Sequence, residues 1–538
     1  MTKTILLLLL ITGISCAKKE KVDTIVINAT IYTVNTHFDK AEAFAIKDGK
    51  IFAVGTTSEI EAKYDAPIIN DAKGKTIVPG FIDAHCHFFG LGLQQQKVDL
   101  TDTKSFDEVV ERIVDFQKEN NVAYITGRGW DQNDWEVKEF PTKEKLDKLF
   151  PTTPVVIGRI DGHAMLANQA AIDLASVTEK TPFSGGEILQ KNGKLTGIFI
   201  DNPKRLIVSK IPVPSQKENI EALKDAERIC FDLGLTTVDD AGLSREIIEL
   251  IDSLQKAGTL KMRIYAMVSV NDENIDYFSK TGIIKTDRLN VRSFKVYADG
   301  ALGSRGAAMK KPYSDQHNHF GALVTPLEKL KEYAEKIALT DFQMNTHAIG
   351  DSANFVMLKT YKEVLKGKKD RRWRIEHAQI IDTTDFNYFE NILPSVQPTH
   401  ATSDMYWAQD RIGTERIKGA YAYKNLLNTY GKIALGTDFP IEKVSPLFTF
   451  YSAVARKDLN NFPENGFQME NALTREETLK GMTIWAAYAN FEENEKGSIE
   501  VGKMADFIIL DKNIMEIEAH NIPTINVDET YVGGEKVK

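Results

Sequence analysis

Between Thr24 and Pro79 the apolar residues come in short β-branched runs bounded by polar ones, as in Thr24-Ile25-Val26-Ile27 and Ala43-Phe44-Ala45-Ile46. Runs of that length and composition predict strands. Asp48-Gly49-Lys50 predicts a hairpin turn into Ile51-Phe52-Ala53-Val54. The other end of the chain repeats the pattern, with Phe507-Ile508-Ile509-Leu510 and Val527 to Val532 before Gly533-Gly534. Two strand-rich ends around a long middle predict one small β-sandwich domain, assembled from 23–79 and 490–538.

The middle, 80–489, alternates strand-like and helix-like text. Strands are predicted at Phe81–His87, Leu235–Asp239, Arg263–Val268, Val291–Tyr297, Gln343–His347, Arg374–His377, Leu393–Gln397 and Lys432–Gly436, with helical text such as Leu327 to Leu339 and Ala353 to Leu365 between them. Eight such units predict an α/β fold, a (β/α)8 TIM-like barrel. The stretch from about 92 to 230 is far longer than one helix needs and carries strand-like text of its own. It is expected to be a subdomain inserted after barrel strand 1.

Composition narrows the partners. The 538 residues are 42% hydrophobic and 27% charged, with a net charge of −9. No dense Lys/Arg block interrupts the chain, so no nucleic acid is expected as a partner. A small-molecule substrate is expected instead, and a homodimer is carried as a further expectation. The three cysteines, Cys16, Cys86 and Cys230, exclude a disulfide framework and a cysteine zinc finger. Lys3 precedes the apolar run Ile5 to Ile11 and then Thr12-Gly13-Ile14-Ser15-Cys16. That run is too short to span a bilayer and reads as a signal peptide. Its end resembles a bacterial lipoprotein cleavage site, so 1–16 is read as a signal ending at a lipidated Cys16. The protein is then expected to be exported and lipid-anchored in the cell envelope, on the periplasmic side or the outer membrane.

Chemistry concentrates at predicted strand ends. Side chains alternate along a strand, so His85 and His87 share one face with Phe81 and Asp83, and Cys86 faces away. In a barrel the shared face is the interior, and sites form where the strands end. Taken alone, the pair reads equally well as a metal site or as barrel-lining histidines. His347 ends the fifth strand, His377 the sixth, and Asp438 follows the eighth. That combination points to a centre for one or two divalent metal ions, with Zn2+ suited to imidazole and carboxylate ligands. Lys295, in the fourth strand, is costly in a barrel interior unless paired or modified. Carboxylated by CO2, it would bridge two metals; otherwise it would pair with Asp299 or a substrate carboxylate. Asp438 is expected to act as general base as well as ligand. His163 and His400 are candidate catalytic groups that would contact substrate or an oxyanion, weighed against core or surface packing, and Trp130 and Asp131 are weighed as pocket lining against ordinary packing.

These residues sit in longer motifs: Pro79-Gly80-Phe81-Ile82-Asp83-Ala84-His85-Cys86-His87, Gly127-Arg128-Gly129-Trp130-Asp131, Asp161-Gly162-His163, Ala298-Asp299-Gly300, His347-Ala348-Ile349-Gly350-Asp351, Ile375-Glu376-His377-Ala378-Gln379 and Val396-Gln397-Pro398-Thr399-His400. In this order they resemble the amidohydrolase superfamily, and most closely its family 3 branch, which includes N-substituted formamide deformylase-like proteins. The resemblance runs from about Thr24 to the C-terminus. It implies a metal-dependent hydrolase cleaving a C–N amide bond other than a peptide bond, by attack of metal-activated water. A deaminase, esterase or isomerase on the same site is the alternative, and a non-enzymatic envelope ligand-binding protein is a more distant one. One departure stands out: Asp239-Asp240 follows the second strand where relatives often read His-Asp.

Overall fold

Eight parallel strands carry the architecture: β1 (Phe81–Cys86), β2 (Leu235–Leu243), β3 (Arg263–Ser269), β4 (Leu289–Tyr297), β5 (Gln343–Ala348), β6 (Arg374–His377), β7 (Leu393–Val396) and β8 (Ala434–Leu435). Each pairs in parallel with the next, in chain order. This is the predicted barrel, and every predicted strand is present. The computed structural model describes residues 18–159, 164–183, 186–201, 203–303, 305–368 and 370–538.

The ring closes just beyond β8. The Asp438 N–H donates to the His85 carbonyl at 2.8 Å, and the His87 N–H donates to the Phe439 carbonyl at 2.8 Å. Asp83 reinforces that seam. Its Oδ1 accepts from the N–H groups of His85 (3.2 Å) and Thr437 (3.0 Å), and its Oδ2 accepts from the Thr437 hydroxyl (2.7 Å). Gly436 allows the close approach, because a Cβ there would lie 2.5 Å from the His85 nitrogen. The closure therefore falls at the C-terminal end of the barrel strands, where β1 and β8 deliver their polar side chains.

The strands are buried on both faces, and polar residues of β2, β5 and β6 are buried with the apolar ones. The helix Arg245–Lys256 begins at Ser244, whose side chain accepts from the Ile247 N–H, and it turns Ile248 and Ile251 inward. Leu327–Ala338 does the same with Leu330, Ala334, Ile337 and Ala338. Strands from both chain ends share one sheet. Its order is Glu535–Lys536, Val527–Val532, Phe507–Leu510, Thr76–Pro79, Thr30–Tyr32 and Lys40–Ala41. A four-stranded sheet of Lys50–Gly55, Ala43–Lys47, Thr24–Ile27 and Ile68–Asp71 lies with it around one apolar cluster that includes Val26, Phe44, Ile77, Phe507 and Tyr531. These sheets belong to the same compact unit as the barrel. The Arg263–Asp506 ion pair, 2.7 Å and almost fully buried, joins the start of β3 to the terminal strands.

Phe89–Ala226 forms a second compact unit. It holds a six-stranded mixed sheet and the helix Phe106–Asn120, capped by Ser105. Trp130 is fully buried in its core, with Nε1 donating to the Ile157 carbonyl at 3.1 Å. Asp131 pairs with Arg159 at 2.6 Å. Both residues thus serve packing and pairing inside this unit.

Candidate metal centre

His85, His87, Lys295, His347, His377, His400 and Asp438 all belong to the barrel unit. The strands carry them to one end: His85 on β1, Lys295 on β4, His347 on β5 and His377 as the last residue of β6. His87 follows β1, His400 lies in the helix Pro398–Asp404 after β7, and Asp438 follows β8. Neighbouring rings meet edge-on or tilted, with centroids 5.9 Å apart for His85 and His87, 4.8 Å for His85 and His377, and 4.4 Å for His347 and His377. Asp438 Oδ1 lies 3.2 Å from His87 Nε2 and 3.7 Å from His85 Nε2. Lys295 Nζ is fully buried and 2.9 Å from His85 Nε2. Asp299 does not take Lys295 as partner. Its carboxylate instead accepts the N–H groups of Ala308 (2.8 Å), Ile349 (3.0 Å) and Gly350 (2.8 Å). His163 lies outside the described residues, as do Cys16 and the rest of the predicted signal segment.

The donor set fits a divalent cation. His85 Nδ1 is 2.6 Å from the Glu376 carboxylate, and both side chains are fully buried. A carboxylate only accepts, so Nδ1 carries the proton and Nε2 presents its lone pair to the centre. His377 Nδ1 is held by Gln397 Oε1 at 2.8 Å in the same way. Fixing the outer nitrogen so that the inner one can ligate is the usual second layer of a histidine metal site. His347 Nε2, His400 Nε2 and Asp438 Oδ1 are buried and make no well-directed hydrogen bond among the described residues. Buried polar atoms without partners are rare and costly, and a cation would satisfy all three. Two groups have ligand atoms within 4.8 Å of one another: His85, His87 and Asp438, and His377, His400 and Asp438.

Electrostatics point the same way. Burial, then the Lys295 charge, holds His347 down to about 3, and burial drives His85 and His377 well below the ordinary imidazole range. All three stay neutral, as ligands must. Burial alone would raise Asp438, but His87, His85 and His400 around it hold the carboxyl well below its ordinary range. Burial lowers Lys295 to about 8. The backbone is unusual at two of these positions, with φ of +73° at His377 and +63° at Asp438. Non-glycine residues held there cost energy and cluster at functional sites. A surface cleft near 870 Å³ lies elsewhere, lined by residues of the N-terminal segment such as Lys40, Glu42 and Glu59.

The sequence profile of the amidohydrolase family matches residues 69–538. The chain belongs to the amidohydrolase family. Among relatives, it is 31% identical to the putative amidohydrolase YtcJ of Bacillus subtilis, over 94% of this chain and 98% of that protein. It is 26% identical to the N-substituted formamide deformylase of Arthrobacter pascens, over 95% of this chain and 97% of that protein. Among solved structures, a metal-dependent hydrolase from Pyrococcus horikoshii superposes with a TM-score of 0.79 at 28% identity, covering 92% of this chain and 99% of that one. The amidohydrolase resemblance and the α/β barrel read from the sequence are both borne out, and the protein is a metal-dependent hydrolase of this superfamily.

Sequence reasoning missed the layer behind the amidohydrolase ligands. Glu376 stands two residues from Arg374 on β6 and so shares its face, the one signal in the sequence for a role behind the ligands. Arg374 is fully buried, 2.9 Å from Asp239 and 3.9 Å from Glu376. Asn490 donates to the other Asp239 oxygen at 2.6 Å. Asp239, the departure after β2, thus stands in a buried ionic layer beneath the histidines.

Proposed function

We propose that the protein hydrolyses a C–N amide bond, other than a peptide bond, in a small molecule. The convergence of His85, His87, Lys295, His347, His377 and Asp438 on one barrel end carries this reading. A divalent cation, Zn2+ by the chemistry of the donors, would lower the pKa of water towards ~7 and polarise a carbonyl when held there. His85 and His87 on one side and His347 and His377 on the other would hold it through their ring nitrogens. Lys295, carboxylated, would add an anionic oxygen ligand between the two sides. Asp438 Oδ1 has no directed hydrogen bond and stays ionised, so it can accept the proton of the attacking water and pass it to the leaving nitrogen. The amide preference rests on the formamide deformylase likeness.

The test is metal analysis of purified protein with assays on N-formyl amines, N-acyl amines, cyclic amides and esters. Turnover confined to amides supports the reading; turnover of esters or of ring amidines alone replaces it with an esterase or deaminase. We further propose export with a lipid on Cys16. No helix among the described residues is long and apolar enough to cross a membrane, so the lipid would be the anchor. Mass spectrometry of membrane-extracted protein should find acylated Cys16, and a soluble protein with another mature N-terminus would refute it.

A further inference from the structure

From the sequence His400 is expected to contact substrate or an oxyanion, or to serve packing, yet its surroundings are those of a ligand. Its Nε2 is buried, makes no hydrogen bond among the described residues, and lies 3.7 Å from Asp438 Oδ2. The ring lies nearly parallel to that of His377, at 13° with centroids 5.9 Å apart. The ligating atoms of His377, His400 and Asp438 all lie within 4.8 Å of one another. Asp438 is only 9% exposed at its side chain, and its two oxygens face different histidines. Oδ1 faces His85 and His87, and Oδ2 faces His400.

An oxyanion donor needs an N–H aimed at open space where substrate charge develops. His400 Nε2 instead lies 3.7 Å from Asp438 Oδ2 without a hydrogen bond between them, in a buried group of ligand atoms within 4.8 Å of one another, which is the geometry of a shared cation. We propose that His377, His400 and Asp438 form a cation position of their own, with His400 as a direct ligand and Asp438 shared with the His85/His87 position. This rests on the metal-dependent reading of the site, and it adds a ligand from β7 to those expected from β1, β4, β5, β6 and β8. The cation is a divalent one of the imidazole-preferring kind, such as Zn2+ or Co2+.

The test is titration of metal-stripped full-length protein with Co2+, followed by absorption and by bound metal per chain. Wild type should take up two equivalents. His400→Phe keeps the ring but has no ligand atom, and should weaken one equivalent by more than the ~10²-fold that loss of an outer-layer partner brings, leaving the other intact. His87→Ala should affect the other equivalent. His400→Cys should restore uptake and add a thiolate-to-cobalt charge-transfer band, because a thiolate is itself a ligand. Retention of one equivalent in His400→Phe also reports that the barrel is folded. Unchanged uptake in His400→Phe, whether of one equivalent or two, overturns the proposal, as does a missing band in a His400→Cys protein that binds cobalt. A wild type that binds no cobalt overturns the metal-dependent reading beneath it as well.

Discussion

The Glu376 carboxylate on β6 holds His85 of β1 by its Nδ1 at 2.6 Å, with neither side chain exposed to solvent. One acidic residue thereby sets the tautomer and ring orientation of a candidate ligand from another strand. Glu376→Ala should lower Zn2+ affinity about 10- to 100-fold, the usual cost of removing such a partner. Glu376→Gln retains an acceptor oxygen and should recover part of that loss. Competition titration with a chromophoric chelator reads both, and equal affinity in all three proteins would show that His85 does not depend on this contact.

Beneath Glu376, Arg374 faces Asp239 and Glu376 in a fully buried setting, with the Tyr265 ring 5.0 Å from its guanidinium. Arg374→Met leaves two buried carboxylates without their cation. Breaking such an arrangement from one side costs about 3–5 kcal/mol. Urea unfolding should show that loss, and the double variant Arg374→Met with Asp239→Leu should be more stable than the single one, since it removes an unpaired charge as well. A single variant within ~0.5 kcal/mol of wild type would mean that the layer contributes nothing to stability.

Lys295 is buried with its Nζ 2.9 Å from His85 Nε2. If carboxylation makes it a ligand, Lys295→Ala should lose one or both metal ions, and short carboxylic acids should restore part of the activity. Elemental analysis decides the point. Full metal occupancy in the variant would assign Lys295 to charge pairing alone.

Asp438 combines ligation with proton transfer in the proposed reaction. Asp438→Asn preserves shape and one oxygen but cannot accept the proton. Turnover should fall by at least the ~10²–10⁴-fold typical of a lost general base, while the fold and most of the bound metal remain. Near-normal turnover of the Asn variant, on whichever substrate the panel identifies, would rule out this role.

The sequence by itself determined the barrel and its membership of the amidohydrolase family. Strand text is local: short bounded runs such as Arg263 to Val268 or Leu393 to Val396 are visible without their neighbours. The histidines were legible for the same reason, because alternation within one strand places His85 and His87 on one face. Pairings between strands were not legible. Glu376 meets His85, and Arg374 meets Asp239, across chain separations of 291 and 135 residues. No local pattern encodes such a contact, since it depends on which side chains the closed ring brings opposite one another. His400 belongs to this second kind. Its place after β7 could be read from the chain, but its parallel approach to His377 and its facing of Asp438 Oδ2 follow only from the curvature that brings β6, β7 and β8 to one rim.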